Sequence, residues 1–358
     1  MSDKSKIEWT DATWNPTRGC SKIAPGCAHC YAETFAERFR GVKDHPYEFG
    51  FNPRIVPEKL SEPLKWKTPK RIFVDSMSDL FHEAFPFEYI AQCFSVMSLA
   101  EWHTFQILTK RLERAAEFFR WVVKCWPDLE PLHQTVPPDA NVFHRYVDQP
   151  AASREWERAM RRVEDTFAQP LPLPNVWIGT SIANQVDADK NVPLLLQIPA
   201  AVRFLSVEPL IGPVNLDPAL CEVHGNEFET DAGCSECQAN GYLGEMNTGE
   251  WLDPLNGGIS WVIIGGESGP HSRPCHVDWI RSVRDRCREN GVPLFVKQLG
   301  RVVHVSHEED LAEWGADHLT FDDESSADHV VVRLSHPKGG DLNEWPADLR
   351  IREFPEVG

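Results

Sequence analysis

The sequence predicts an α/β fold: a partial (β/α)6-type, TIM-like barrel of parallel strands carrying inserted helical and metal-binding segments. Two observations predict it. Short apolar, β-branched runs recur along the chain, each followed by a polar turn and then a helical pattern. The runs are also almost continuously apolar, which is how strands read in a parallel sheet covered on both faces.

The first strand is expected around residues 12–15, just ahead of a cysteine-rich loop. The others are expected at 71–75, 104–109, 176–180, 202–206, 261–265 and 293–297. This gives six or seven βα units, which suits a barrel of six plus an extra strand better than a closed barrel of eight. Helical patterns cover 28–40, 87–100, 112–123 and 276–290. The last stops at Asn290-Gly291, where glycine readily takes the left-handed conformation that ends a helix. Two spacers are too long for simple loops: 124–174, with a charged helical stretch from Ser153, and 213–260, with a second cysteine cluster. The expected organisation is therefore a barrel over 1–300 interrupted by these insertions, then a C-terminal edge or lid segment over 301–358 with a strand at 330–334.

Composition narrows the class. A chain of 358 residues with 42% hydrophobic and 25% charged residues has the make-up of a globular protein. No run approaches the ~18–20 apolar residues of a membrane span, and no apolar signal core follows Met1-Ser2-Asp3-Lys4, so no membrane partner and a cytoplasmic location are expected. The net charge of −18 argues against non-specific coating of nucleic acid, which needs Lys and Arg to neutralise phosphates. A local basic cleft is compatible with it, and Arg154, Arg158, Arg161 and Arg162 of the first insertion are one source of such charge. Trp9, Trp14, Trp66, Trp177 and Trp261 flank apolar runs and suit core packing.

Ten cysteines fall into two clusters and four singles, a pattern that in a reducing compartment indicates metals. Cys20, Cys27 and Cys30 form the first cluster. Three thiols can hold three irons of a [4Fe–4S] cluster and leave the fourth iron open to a ligand. A disulfide with a spare thiol, or three of the four ligands of a zinc site, are the alternatives. Cys221, His224, Cys234 and Cys237 form the second cluster, two chelating pairs that suit structural zinc. Of the singles, Cys93, Cys125 and Cys287 lie in apolar helical contexts and suit the core, while Cys275 stands close to a strand-end loop.

Residues just after parallel strands converge on the face where ligands bind. Here those positions carry Asp75-Ser76-Met77-Ser78-Asp79, Thr109-Lys110-Arg111, Thr180-Ser181 with Asn184-Gln185, Ser206-Val207-Glu208-Pro209, Gly265-Gly266-Glu267 and Lys297-Gln298. Some of these, Asp79 among them, suit helix or loop capping. The charges of Lys110, Arg111, Glu208, Glu267 and Lys297 are costly to bury alone, so they are expected to pair with one another or with a polar substrate. Lys110, Glu208, Glu267 and Lys297 are the catalytic candidates.

The string Asn15-Pro16-x-x-Gly19-Cys20 … Cys27-x-x-Cys30-Tyr31-Ala32 resembles the cluster loop of radical S-adenosylmethionine enzymes, most closely the spore photoproduct lyase-like branch. It departs from the common pattern in having six residues, instead of three, between Cys20 and Cys27. The whole chain, from Ile7-Glu8-Trp9-Thr10 to Glu344-Trp345-Pro346, resembles a phage- and prophage-associated family of unknown function with this longer loop. The resemblance implies S-adenosyl-L-methionine bound at the open iron and an electron donor for its reductive cleavage to a 5′-deoxyadenosyl radical. It further implies Asp75, Ser76 and Ser78 beside the methionine amine, Ser181 and Asn184 at the ribose, and Tyr31 against the adenine. By analogy with the named branch, the substrate class is DNA, RNA or a nucleotide. The rival reading is a non-catalytic iron–sulfur or zinc protein serving redox sensing or partner recognition.

Overall fold

The computed structural model of the chain describes residues 4–125, 171–216, 258–269, 272–306, 314 and 330–356. The expected zinc ligands Cys221, His224, Cys234 and Cys237 lie outside the described residues, as does nearly all of the first insertion with its four arginines.

In chain order the elements are β1 (Ala12–Trp14), β2 (Thr17–Arg18), α1 (Tyr31–Glu37), β3 (Arg54–Ile55), β4 (Arg71–Val74), α2 (Phe87–Leu99), β5 (Thr104–Thr109) and α3 (Leu112–Cys125). They continue with β6 (Val176–Ile182), α4 (Gln185–Leu196), β7 (Val202–Val207), β8 (Trp261–Gly265), β9 (Cys275–His276), α5 (Val277–Glu289), β10 (Leu294–Gln298), β11 (Val302–Val305) and β12 (Val330–Arg333). The fold is mixed α/β. Its main sheet has seven strands in the order β1-β4-β5-β6-β7-β8-β10. The pairs β1–β4, β4–β5, β7–β8 and β8–β10 are parallel. No helix among the described residues is long and apolar enough to cross a membrane.

The chain divides into two compact units: residues 1–23, 29–178 and 198–201 form the first, and 24–28, 179–197 and 202–358 the second. In the first, the indole of Trp14 is fully buried edge-on to Phe105 at 5.8 Å, and its N–H donates to Lys59 O at 2.7 Å. Trp9 packs on Phe73 at 4.7 Å. In the second, Trp261 is buried among Phe204, Phe295 and Phe354, and its N–H donates to Glu353 O at 2.9 Å. Such ring pairs contribute roughly 0.5–1.5 kcal/mol each beyond their buried area. Every residue of β7 and β8 is buried, Arg203 and Ser206 of β7 included.

Several boundaries differ from expectation. Helix α1 starts at Tyr31 rather than residue 28, because Pro25–Cys27 forms a separate 3-10 turn and Cys30 is extended. Strand β6 runs two residues beyond 180, to Ile182. Two small sheets were not expected. One pairs β2 with β3; the other has the order β12-β11-β9, so the strand foreseen at 330–334 pairs antiparallel with β11.

Candidate functional site

The loop after β4 is the best-tied polar feature of the first unit. Asp75 follows the strand directly with φ of 58°, the left-handed region that asparagine and aspartate tolerate better than most residues. Its side chain is buried. Oδ1 accepts from Thr17 N at 3.1 Å, whereas Oδ2 has no hydrogen-bond partner among the described residues. Burial holds the carboxyl well above the usual carboxylate range, against the pull of the Thr17 hydrogen bond.

The rest of this loop is joined to the cysteine loop. Asn15 Oδ1 accepts from Met77 N at 2.9 Å and from Ser76 Oγ at 3.2 Å. Thr17 Oγ1 donates to Ser78 Oγ at 2.8 Å, and Ser78 Oγ donates to Gly19 O at 2.7 Å. Gly19 N donates to Met77 O at 3.0 Å, and the Tyr31 hydroxyl donates to Ser76 O. Gly19 has φ of +78°, and a Cβ there would stand 2.3 Å from Asn52 O, so only glycine fits ahead of Cys20. Ser76, Ser78 and Tyr31, expected at a cofactor, thus hold the two loops together here. Ser76 and Ser78 are half-buried, and Tyr31 is exposed.

The three cysteines are free and half-buried. Cys20 and Cys30, with Met77, pack against one small core of Ala32, Ala36, Tyr47 and Phe51. Cys27 ends the 3-10 turn. Among the described residues no three His, Cys, Asp or Glu side chains converge into a metal-holding group. Cys20 meets a buried guanidinium, with Arg111 Nη2 at 3.8 Å from its sulfur. Burial pushes the Cys20 thiol up to about 11, with Arg111 pulling the other way. The same Nη2 donates to Ser21 Oγ at 2.8 Å and Ser21 O at 3.0 Å, and Nη1 donates to Glu83. His82 Nδ1 accepts from Ala84 N at 3.1 Å, which leaves the hydrogen on Nε2 to meet Ser21 Oγ at 3.0 Å. Burial first, and Arg111 second, lower the pKa of His82. Asp79 anchors the end of β5, accepting from Thr109 Oγ1 at 2.7 Å and from the backbone of Phe81 and Lys110 at 3.1 Å each. Lys110 is half-buried, and its ammonium has no ion-pair partner among the described residues.

The second unit holds the other candidates. Glu208 Oε1 accepts from Lys297 Nζ at 2.7 Å and from Gln298 Nε2 at 3.2 Å. Ser181 Oγ donates to the carbonyl of Glu208 at 2.9 Å. Glu267 is buried and takes a forked contact from Arg273, at 2.9 Å from Nε and 2.7 Å from Nη2, plus the Arg273 backbone N–H at 2.8 Å. Gly266 beside it leaves room for Leu299 O, which a Cβ would approach to 2.2 Å. Asn184 caps α4, accepting from Asp187 N at 3.0 Å, while Asp187 accepts from Ala183 N at 3.1 Å; the pair is a reciprocal cap of the helix N-terminus. Cys275 is fully buried with its thiol pushed up to about 12, which makes it inert; Cys93 and Cys287 are core residues as expected.

So Glu208 and Lys297 meet, Glu267 is taken by Arg273, and Ser181 supports Glu208. Asn15, Ser21, His82, Glu83 and Arg273 were not foreseen as participants. Asn15 stands in the cysteine-loop string, which was the available signal; the Ser21–His82 contact spans 61 residues and has no spacing pattern.

Fold and site together define an α/β protein whose cysteine loop is fastened to the first strand-end loops of a parallel sheet. The chain belongs to the family described as a protein of unknown function (DUF5131), whose model matches residues 4–330. No curated protein and no solved structure matches it.

Proposed function

We propose that this protein is a radical S-adenosylmethionine enzyme acting on a nucleic acid or nucleotide, with Cys20, Cys27 and Cys30 holding a [4Fe–4S] cluster. The observation that carries this reading is the fastening of the cysteine loop to the loop after β4 through Asn15, Thr17, Gly19 and Tyr31. A cluster-bound cofactor needs both loops held in one geometry. Three free, half-buried thiols are a fitting donor set, soft enough for iron–sulfur chemistry and not used up in a disulfide. When bound, the cluster supplies one electron, drawn from an external donor, for reductive cleavage of S-adenosylmethionine.

The chain's own residues do the positioning. Asp75, buried, braces the Thr17 amide by accepting its hydrogen bond. Ser76, Met77 and Ser78 present the half-buried rim of the site. Arg111 sets a positive charge beside Cys20 and offsets part of the burial that pushes this thiol up to about 11. Lys110, half-buried after β5, is the group of the first unit assigned to a polar substrate. The sheet order also supports a partial barrel: neighbours follow one another along the chain, without the reversal of a doubly wound fold.

Anaerobic reconstitution tests the reading. About four irons per chain are expected, lost in each Cys→Ala variant, with S-adenosylmethionine cleaved under a strong reductant. Iron content unchanged by all three substitutions would overturn it.

A further inference from the structure

The segment from Arg18 to Arg54 differs from the rest of the chain in charge and in what it exposes. It has six Lys and Arg against four Asp and Glu, within a chain of net charge −18. Seven large hydrophobic side chains are exposed among the described residues, and five lie here: Ile23, Tyr31, Phe35, Val42 and Phe49. Tyr31 is 61% exposed, Phe35 43% and Phe49 54%, values at which burial in this chain's own core does not account for the rings.

These rings stand on a built support. Helix α1 sets Tyr31 and Phe35 one turn apart, on the same face. Phe35 packs edge-on to Phe39 at 5.2 Å and to Tyr47 at 5.6 Å. Arg18 lies 5.4 Å over Tyr47, and Arg54 5.5 Å over Phe49. The β2–β3 pairing sets those two arginines opposite each other, and both donate to Pro46 O.

Charge decides the occupant. Two acids of the segment are already neutralised: Glu33 by Lys22 at 2.7 Å and Glu37 by Arg40 at 2.5 Å. Arg38, Lys43 and Arg54 make no ion pair among the described residues. Exposed rings next to uncompensated cations match a single-stranded nucleic acid, whose unstacked bases lie on rings while its phosphates meet the cations. A duplex keeps its bases stacked and cannot use the rings. Protein interfaces tend to exclude lysine from their apolar centre, which fits this surface less well.

We propose that Tyr31, Phe35 and Phe49, flanked by Arg38, Lys43 and Arg54, form a stacking platform that grips a single strand of nucleic acid beside the cysteine loop. This rests on the nucleic-acid reading of the substrate and deepens it by naming where the strand is held.

The test uses the full-length, metal-free protein and a fluorescein-labelled oligothymidylate of about 12 nucleotides, followed by anisotropy. The single strand is expected to bind at least about tenfold more tightly than a duplex of equal length. Phe35→Ala and Phe49→Ala should each weaken binding about 5- to 150-fold, the equivalent of losing one stacked base. The double variant Arg38→Ala/Lys43→Ala should reduce the slope of log affinity against log salt by about 1.4, as expected for two lost phosphate contacts. Val186→Ala, at an exposed apolar position in α4, should leave binding unchanged, and circular dichroism checks that each variant is folded. No binding at low salt, equal binding of duplex, or affinity unmoved in a folded Phe35→Ala/Phe49→Ala double variant would each overturn the proposal. So would self-association abolished by that double variant, which would assign the surface to a second copy of the chain. Because the protein is metal-free, strand binding by a chain that takes up no iron would keep this inference while sinking the enzyme reading; a reconstituted, active cluster with no strand binding would do the reverse.

Discussion

Two buried carboxyls, one in each unit, are treated in opposite ways. In the second unit the buried Glu267 sits against a forked arginine, and the half-buried Glu208 against Lys297 and Gln298. In the first, Asp75 is as deeply buried as Glu267, yet no cation pairs with it and one oxygen lacks a hydrogen-bond partner among the described residues. Burial raises its pKa, which favours the neutral form over the charged one. A carboxylate held by a cation fixes geometry; a buried one without such a partner makes a contribution that depends on pH.

The most disruptive way to break this contrast is to remove Arg273. Arg273→Ala takes the guanidinium from a buried carboxylate, and chemical unfolding should show a loss of about 2–3 kcal/mol, below the full cost of halving a buried pair because Arg273 is partly exposed. An Arg273→Lys variant, unable to fork, should recover only part of it.

Asp75→Asn sharpens the contrast. The folded-state pKa of Asp75 is raised, so its stabilising contribution is complete below the ordinary carboxyl range near pH 4 and is lost as pH rises toward the folded value. Within that window wild-type stability should fall by up to about 1.4 kcal/mol per pH unit from this group. Asparagine tolerates the positive φ and keeps an acceptor for Thr17 N, so thermal melts of the variant should show a flatter pH profile and greater relative stability at pH 8.

The smallest effect is expected at the half-buried pair of Lys297 and Glu208. Lys297→Met should cost about 1 kcal/mol or less in stability, with a difference from wild type that shrinks as salt is added.

The sequence made the scaffold legible where physics is local. Near-continuous apolar runs gave six strands of the main sheet to within two residues, the first strand was placed by its position ahead of the cysteine loop, and Asn290-Gly291 marked the end of α5. The start of α1 was obscured because alanine, histidine and cysteine after Cys27 have no strong helix stop, while the extended backbone at Cys30 is set by the surrounding loop. The same limit applied to the site. The order of polar residues after each strand was readable, but their partners were not: Glu267 finds Arg273 six residues on around a tight turn, Asn184 is spent on a helix cap, and Ser21 meets His82 and Arg111 across the fold. Long-range hydrogen bonds leave no periodicity to detect.

One tie has an experimental use. Met77 N–H, 62 residues from Asn15, is held by that side chain's oxygen within the Asn-Pro that opens the cysteine motif. Its exchange with deuterium therefore requires the two loops to part. A single amide resonance becomes a clock for opening of the cysteine loop, readable without touching any thiol. Anything that tightens the loop should slow that clock, and Asn15→Ala should set it running near the rate of a free peptide.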